Sequence, residues 1–160
     1  MSSYKPAAPG VRVAKCQFGR GVFAKWEFEE GDCLGEVRGR VIQDPEYGSN
    51  YCMDLGNDCS LEPRSPFRYL NHCCEPNCQI AFEEIDFDTG LPLEIPRLYI
   101  QAIQDIEKGE QLTIDYAWSA DSAIPCGCGS ENCRGWIVDE KEWCELQARL
   151  TAAVIGDEEE

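Results

Sequence analysis

Apolar residues along the chain fall in short runs broken by glycine, which is the punctuation of a β-rich protein. Residues 1–10, with Pro6, Pro9 and Gly10, read as an extended entry segment. The stretch VRVAKCQFGRGVFAKWEF places two apolar runs around a glycine turn and predicts a hairpin. EEGD at 29–32 is a second turn, and CLGEVRGRVI reads as a strand pair interrupted by glycines. YCMDL predicts a short strand. QIAFEEIDFDTGLPLEIPRLYIQAI predicts a hairpin around Asp88-Thr89-Gly90, and IEKGEQLTIDYAW adds a glycine turn and a final strand. Helical periodicity appears only in DEKEWCELQARLTAAVI, where Trp143, Leu146, Leu150 and Val154 recur at helix spacing. The terminal GDEEE is expected to fray or be disordered. There are no internal repeats and no low-complexity linker, so the chain is mainly β with one late helix.

Length and composition narrow the class. At 160 residues the chain is expected to be one domain, long enough to bury a core without disulfide staples. No run of 18 apolar residues occurs, so no membrane span is expected, and MSSYKPAAPG does not read as a secretory signal. The formal charge is −16, from 14 basic and 30 acidic residues. That balance repels free duplex and offers no basic stripe for phosphates, so no direct nucleic-acid binding is expected. It serves solubility, and it also suits a cationic partner such as a lysine-rich peptide.

Eleven cysteines change the picture more than the charge does. An odd count without an export signal points away from a disulfide framework and toward metal in the clusters. CGCGSENC supplies Cys126, Cys128 and Cys133 from a glycine-rich loop able to wrap a small ion. Three thiolates leave a tetrahedral structural zinc site one ligand short. RYLNHCCEPNCQI offers the fourth among His72, Cys73, Cys74 and Cys78. The two clusters are therefore expected to share one ion.

Four motifs then fall in a fixed order: Gly19-Arg20-Gly21-Val22-Phe23-Ala24; Arg68-Tyr69-Leu70-Asn71-His72-Cys73-Cys74-Glu75-Pro76-Asn77; Gly109-Glu110-Gln111-Leu112-Thr113-Ile114-Asp115-Tyr116; and Cys126-Gly127-Cys128-Gly129-Ser130-Glu131-Asn132-Cys133-Arg134-Gly135-Trp136. Over roughly residues 11–137 the chain resembles a SET-domain protein lysine methyltransferase with its post-SET zinc segment. The resemblance implies a fold of small β-sheets with a pseudoknot-like core. It divides the chain into an N-terminal segment at 1–10, a SET domain at 11–118, a post-SET zinc segment at 119–137, and a C-terminal helix and acidic tail at 138–160.

It also implies the chemistry: transfer of methyl groups from S-adenosyl-L-methionine to a lysine side chain of a basic, histone-like or other lysine-rich protein. Gly19, Arg20, Gly21, Arg68, Asn71, His72 and Trp136 are the implied cofactor-binding residues. Tyr116 matches the family's catalytic tyrosine, and Tyr51 resembles the second tyrosine of the lysine channel. Cys74 becomes the fourth ligand of one structural zinc ion with Cys126, Cys128 and Cys133, leaving Cys73 and Cys78 to packing.

Some features depart from the family pattern. Ile114 stands where many members carry an aromatic residue, which is expected to leave room for higher methylation. No cysteine-rich segment is expected ahead of the domain, and residues 43–67 are short for the stretch that helps shape the peptide groove. Two other functions compete: a catalytically silent SET-like module that binds peptides, and a zinc-stabilised redox or structural protein using Cys73-Cys74. The joint presence of Tyr116, Asn71 and His72 argues against the first. The absence of a Cys-x-x-Cys motif argues against the second. The protein is expected to be an intracellular monomer, with cytoplasm favoured and the nucleus or chromatin expected if the organism is eukaryotic.

Overall fold

A computed structural model describes residues 8–157; the first seven and last three residues, which include most of the entry segment and part of the acidic tail, lie outside the described residues. The chain folds as two compact units. One comprises residues up to Asn71 together with Asn77–Thr113, and the other His72–Pro76 together with Ile114 onward.

In the first unit the opening hairpin forms as predicted. β1 (Val11–Cys16) pairs antiparallel with β2 (Gly19–Ala24), and Gly19 enters β2 at φ 95°, a value that glycine adopts without strain. CLGEVRGRVI does contain two strands, β3 (Cys33–Val37) and β4 (Gly39–Gln43), yet they do not pair with each other. β4 joins β5 (Met53–Gly56) and β6 (Cys59–Pro63) in a sheet ordered β4-β6-β5. The turn between β5 and β6 places Asn57 at φ 52° and Asp58 at φ 60°, the two left-handed residues of a tight hairpin, which these side chains tolerate.

β7 (Asn71–His72) is a two-residue strand, its first residue closing the first unit's opening segment and its second belonging to the other unit. β8 (Cys78–Ile85) and β9 (Pro92–Ala102) make the predicted long hairpin, closed by Asp86, whose carboxylate accepts from the backbone N–H groups of Asp88 and Thr89. β3 lies on the other side of β9, so the second sheet runs β3-β9-β8. β10 (Gln111–Ile114) adds to β2, completing the order β1-β2-β10-β7. Alternation sets the core: Leu98, Ile100 and Ala102 of β9 and Leu112 of β10 are fully buried, with Val22 and Phe67.

The second unit is small. β11 (Ile124–Pro125) and β12 (Trp136–Ile137) form a two-stranded ribbon, so β10 is not the last strand. α1 (Trp143–Asp157) follows and takes up Gly156 and Asp157, which the sequence placed in a frayed tail. Its core is Ala120, Val138 and Leu146, with Ala123, Trp136 and Trp143 packed around them. Of the predicted helical stripe only the first part packs: Val154 is 63% exposed, because the helix outruns so small a cluster.

Candidate functional site

The second unit brings four sulfurs together. The Sγ atoms of Cys74, Cys126, Cys128 and Cys133 all lie within 4.8 Å of one another, with Cys74 at 3.8 Å from Cys126 and 3.9 Å from Cys133. Zinc–sulfur bonds of about 2.3 Å at tetrahedral angles set sulfurs about 3.8 Å apart, so the set fits zinc in both donor type and spacing. Backbone amides complete the surroundings. The N–H of Arg134 donates to Cys74 Sγ (3.4 Å) and that of Gly135 to Cys133 Sγ (3.3 Å). Glu75 ties the segment at 72–76 to the cysteine loop by accepting from Asn132 Nδ2 (2.7 Å) and its N–H (3.4 Å). Burial pushes the Cys74 thiol up to about 11 and raises that of Cys126 further. Cys128, against its own burial, is brought down to about 5 by the Cys74 N–H and by Ser130. Thiols this crowded cannot all ionise unless a cation joins them.

His72 sits between this cluster and Tyr116. Its ring is buried, Nδ1 accepts from the Tyr116 backbone N–H (3.1 Å), and Nε2 lies 3.4 Å from Cys74 Sγ. With Nδ1 committed as an acceptor, the proton belongs on Nε2, where it points at the sulfur. Nδ1 is also 3.5 Å from an Asp115 carboxylate oxygen, which would form an ion pair only with a charged ring. Burial depresses the His72 pKa, Asp115 opposes that shift and Arg134 adds to it, so the neutral ring prevails. Asp115 is paired instead with Arg134, whose Nη2 is 2.8 Å from each of its oxygens.

The backbone around Tyr116 is fixed from both sides. Ala117 adopts φ 48°, uncommon for a residue with a Cβ, and its N–H donates to Asp115 Oδ1 (3.0 Å). The Tyr116 ring lies against His72 and Trp118, with centroids 5.4 and 5.5 Å away. Ile114 is buried two residues earlier. Trp136, an implied cofactor residue, packs against the core of the second unit through β12.

The first unit carries the remaining implied residues. Gly19 is exposed, and a Cβ built there meets nothing within 4 Å, so its backbone is open to close approach by a cofactor. Gly21 is different. A Cβ there would lie 2.6 Å from Gln111 Oε1, and that oxygen accepts from Asn71 Nδ2 (3.0 Å). Asn71 Nδ2 also donates to the Arg20 carbonyl (3.0 Å), so Gly21 makes room for the side chain that orients Asn71. The Arg20 guanidinium lies over the Tyr69 ring at 5.3 Å. Arg68 stacks on Tyr51 at 3.9 Å and donates to Glu62 (2.7 Å). Cys78 is fully buried and its pKa is pushed up to about 12 by burial, consistent with packing.

Motif reading passed over Asp115 and Arg134, although both lie within the motifs, and it assigned no task to Asn77. Asn77 is buried, donates to the Gln111 carbonyl (2.8 Å) and accepts from the Thr113 N–H (2.9 Å), thereby holding β10. A polar residue inside an otherwise functional motif was the available signal. Glu62 had none.

Small β-sheets, a four-cysteine cluster able to hold a metal ion and a tyrosine anchored beside it through His72 define a mainly β protein with a candidate metal centre. A family model of the SET domain matches residues 19–117, and the chain belongs to the SET-domain family. It is 39% identical over 111 residues to an H3 lysine-4 specific histone-lysine N-methyltransferase of Aspergillus oryzae, covering 65% of this chain and 8% of that protein. It is 31% identical over 148 residues to the histone-lysine N-methyltransferase ash1 of Drosophila melanogaster, covering 81% of this chain and 6% of that one. The chain thus spans less than a tenth of the length of these relatives. Among solved structures, KRYPTONITE in complex with mCHH DNA, an H3(1-15) peptide and SAH aligns at TM-score 0.71 and 21% identity, over 85% of this chain and 31% of that one. That likeness establishes the fold.

Proposed function

We propose that this chain is an S-adenosylmethionine-dependent protein-lysine N-methyltransferase whose substrate is a lysine-rich protein segment of the histone-tail kind. The observation that carries this reading is the placement of Tyr116. It follows β10, with its N–H on His72 and its ring against His72 and Trp118. Membership in a family whose relatives are named histone-lysine methyltransferases supports it. The acidic composition suits a cationic substrate. The relatives' names point to chromatin as the place of action and give no support to the cytoplasmic preference. No helix among the described residues is long and apolar enough to cross a membrane.

The proposed cofactor residues are Gly19, Arg20, Gly21, Asn71, His72 and Trp136, with Cys74, Cys126, Cys128 and Cys133 holding one zinc ion. When bound, S-adenosylmethionine supplies a methyl group on a cationic sulfur, which a neutral amine displaces without acid catalysis. The protein's task is then to deliver the lysine amine uncharged and aligned. Tyr116, and Tyr51 as the second channel residue, orient the amine through their hydroxyls, and an aromatic lining disfavours the ammonium form. The lysine ammonium would lose its proton to solvent before transfer, and the methylated nitrogen would then carry the positive charge given up by sulfur.

The test is labelled S-adenosylmethionine with a panel of histones and other basic proteins, wild type beside Tyr116→Phe. Methyl transfer reduced about a hundredfold or more in the variant is the expected result. Cofactor binding by the wild type with no transfer to any substrate would instead identify a silent peptide-binding module.

A further inference from the structure

Tyr51 lies outside any regular element and is 43% exposed, so packing alone does not hold its ring. Two separate connections do, and both end on one carboxylate. The first runs through the side chain: the Arg68 guanidinium sits 3.9 Å from the centroid of the Tyr51 ring, and Arg68 Nη1 donates to Glu62 Oε1 at 2.7 Å. The second runs through the backbone: the N–H groups of Tyr51 and Cys52 donate to Ser49 Oγ at 3.1 and 3.0 Å, and Ser49 Oγ donates to Glu62 Oε2 at 2.7 Å. Tyr47 OH adds a third donor to the carboxylate, at Oε2 and 2.9 Å. Glu62 is on β6, in register with Arg40 of β4, and its side chain is only 14% exposed, whereas Tyr51 belongs to an irregular loop.

We propose that Glu62 is a positioning residue that anchors Tyr51 to the β4-β6-β5 sheet, acting on its ring through Arg68 and on its backbone through Ser49. The inference rests on the reading of Tyr51 as a catalytic tyrosine. It gives Arg68 a task different from the cofactor contact implied by the family resemblance. Its charge is bound to Glu62 and its flat face covers an aromatic ring, a combination that lysine cannot reproduce. A carboxylate is required at position 62 because all three partners donate. A carboxamide of the same shape turns one of its two ends into a donor and sets it against Arg68 or against the two hydroxyls.

The experiment compares wild type, Glu62→Gln, Ser49→Ala and Arg68→Lys, each also in a Tyr51→Phe background. Steady-state methyl transfer, cofactor affinity and the NMR signal of ring-labelled tyrosines are read for each. Glu62→Gln is expected to lower kcat about tenfold with cofactor affinity unchanged, and Arg68→Lys and Ser49→Ala to shift in the same direction. In the Tyr51→Phe background the further loss from Glu62→Gln should largely vanish, which a general loss of structure would not produce. The Tyr51 signal should move or broaden in Glu62→Gln while that of Tyr99 stays in place. An unmoved Tyr51 signal overturns the proposal whether or not the protein is active, and so does a kcat loss that persists undiminished without the Tyr51 hydroxyl. Absence of transfer by the wild type overturns the methyltransferase reading alone, because the ring signal still reports the anchor.

Discussion

At the scale of the residue, the chemistry depends on polar groups that are satisfied at both ends. His72 is a donor to sulfur on one side and an acceptor from the tyrosine backbone on the other, and burial keeps it neutral so that it can be both. Glu62 is the acidic counterpart, accepting from Ser49, Arg68 and Tyr47. Donation from Ser49, opposed by burial and aided by Arg68 and Tyr47, holds its carboxyl below the ordinary value of 4.5. A carboxylate whose folded pKa is depressed stabilises fully above its unfolded pKa, and the gain is lost as pH falls through the folded value. Thermal unfolding should therefore show wild type above Glu62→Gln by a constant margin at neutral and mildly acidic pH. The margin should narrow below about pH 4.5. A margin unchanged in strong acid would show that the charge of Glu62 contributes nothing.

At the scale of the element, close backbone approach decides which substitutions the sheets accept. A Cβ on Gly39 would lie 2.1 Å from the Glu62 carbonyl oxygen and 2.8 Å from the Pro63 Cα, both backbone atoms that cannot step aside. Gly39→Ala should cost about 2–3 kcal/mol in chemical denaturation, through forced separation of β4 from β6. Gly48→Ala, where a Cβ meets nothing within 4 Å, should change stability by less than about 0.5 kcal/mol. The opening hairpin and the long β8–β9 hairpin were readable because apolar runs flank a glycine turn in each. The β5–β6 hairpin was only half readable. Its turn, Asn57-Asp58, uses left-handed residues other than glycine, and LEPRSP carries too few apolar positions to show alternation. The pairing of β3 with β9 and β4 with β6 was not readable, since adjacency in sequence favours the hairpin that does not form.

At the scale of the whole molecule, the two units differ in what holds them. The first has a broad apolar core, whereas the described apolar core of the second is small: Ile114 and the cluster of Ala120, Val138 and Leu146 with three partly covered neighbours. A core that small cannot offset the entropy of ordering its chain, so its order should depend on metal. The prediction is one zinc per chain by elemental analysis. Cys74→Ser, or removal of zinc by a strong chelator, should lower cofactor affinity and unfold the second unit before the first, as read by hydrogen exchange. A Cys74→Ser variant that keeps full zinc would move the fourth ligand to Cys73 or Cys78.

By itself the sequence determined the β-rich class, the late helix and the family, and it marked Cys126, Cys128 and Cys133 as one cluster, because each is written in local pattern: alternation, helical period, or motifs of closely spaced residues. Asn71, His72 and Cys74 lie so close in the chain that one motif of the family resemblance implies a separate role for each. Only the tertiary structure decided what holds those residues. That His72 faces Cys74 and the Tyr116 backbone, that Gly21 is vacant for Gln111, and that Glu62 secures Tyr51 by two routes depend on segments distant in sequence or on the direction a side chain takes. Hydrogen bonds are directional and short, so a pattern of residue types constrains them far less than it constrains burial.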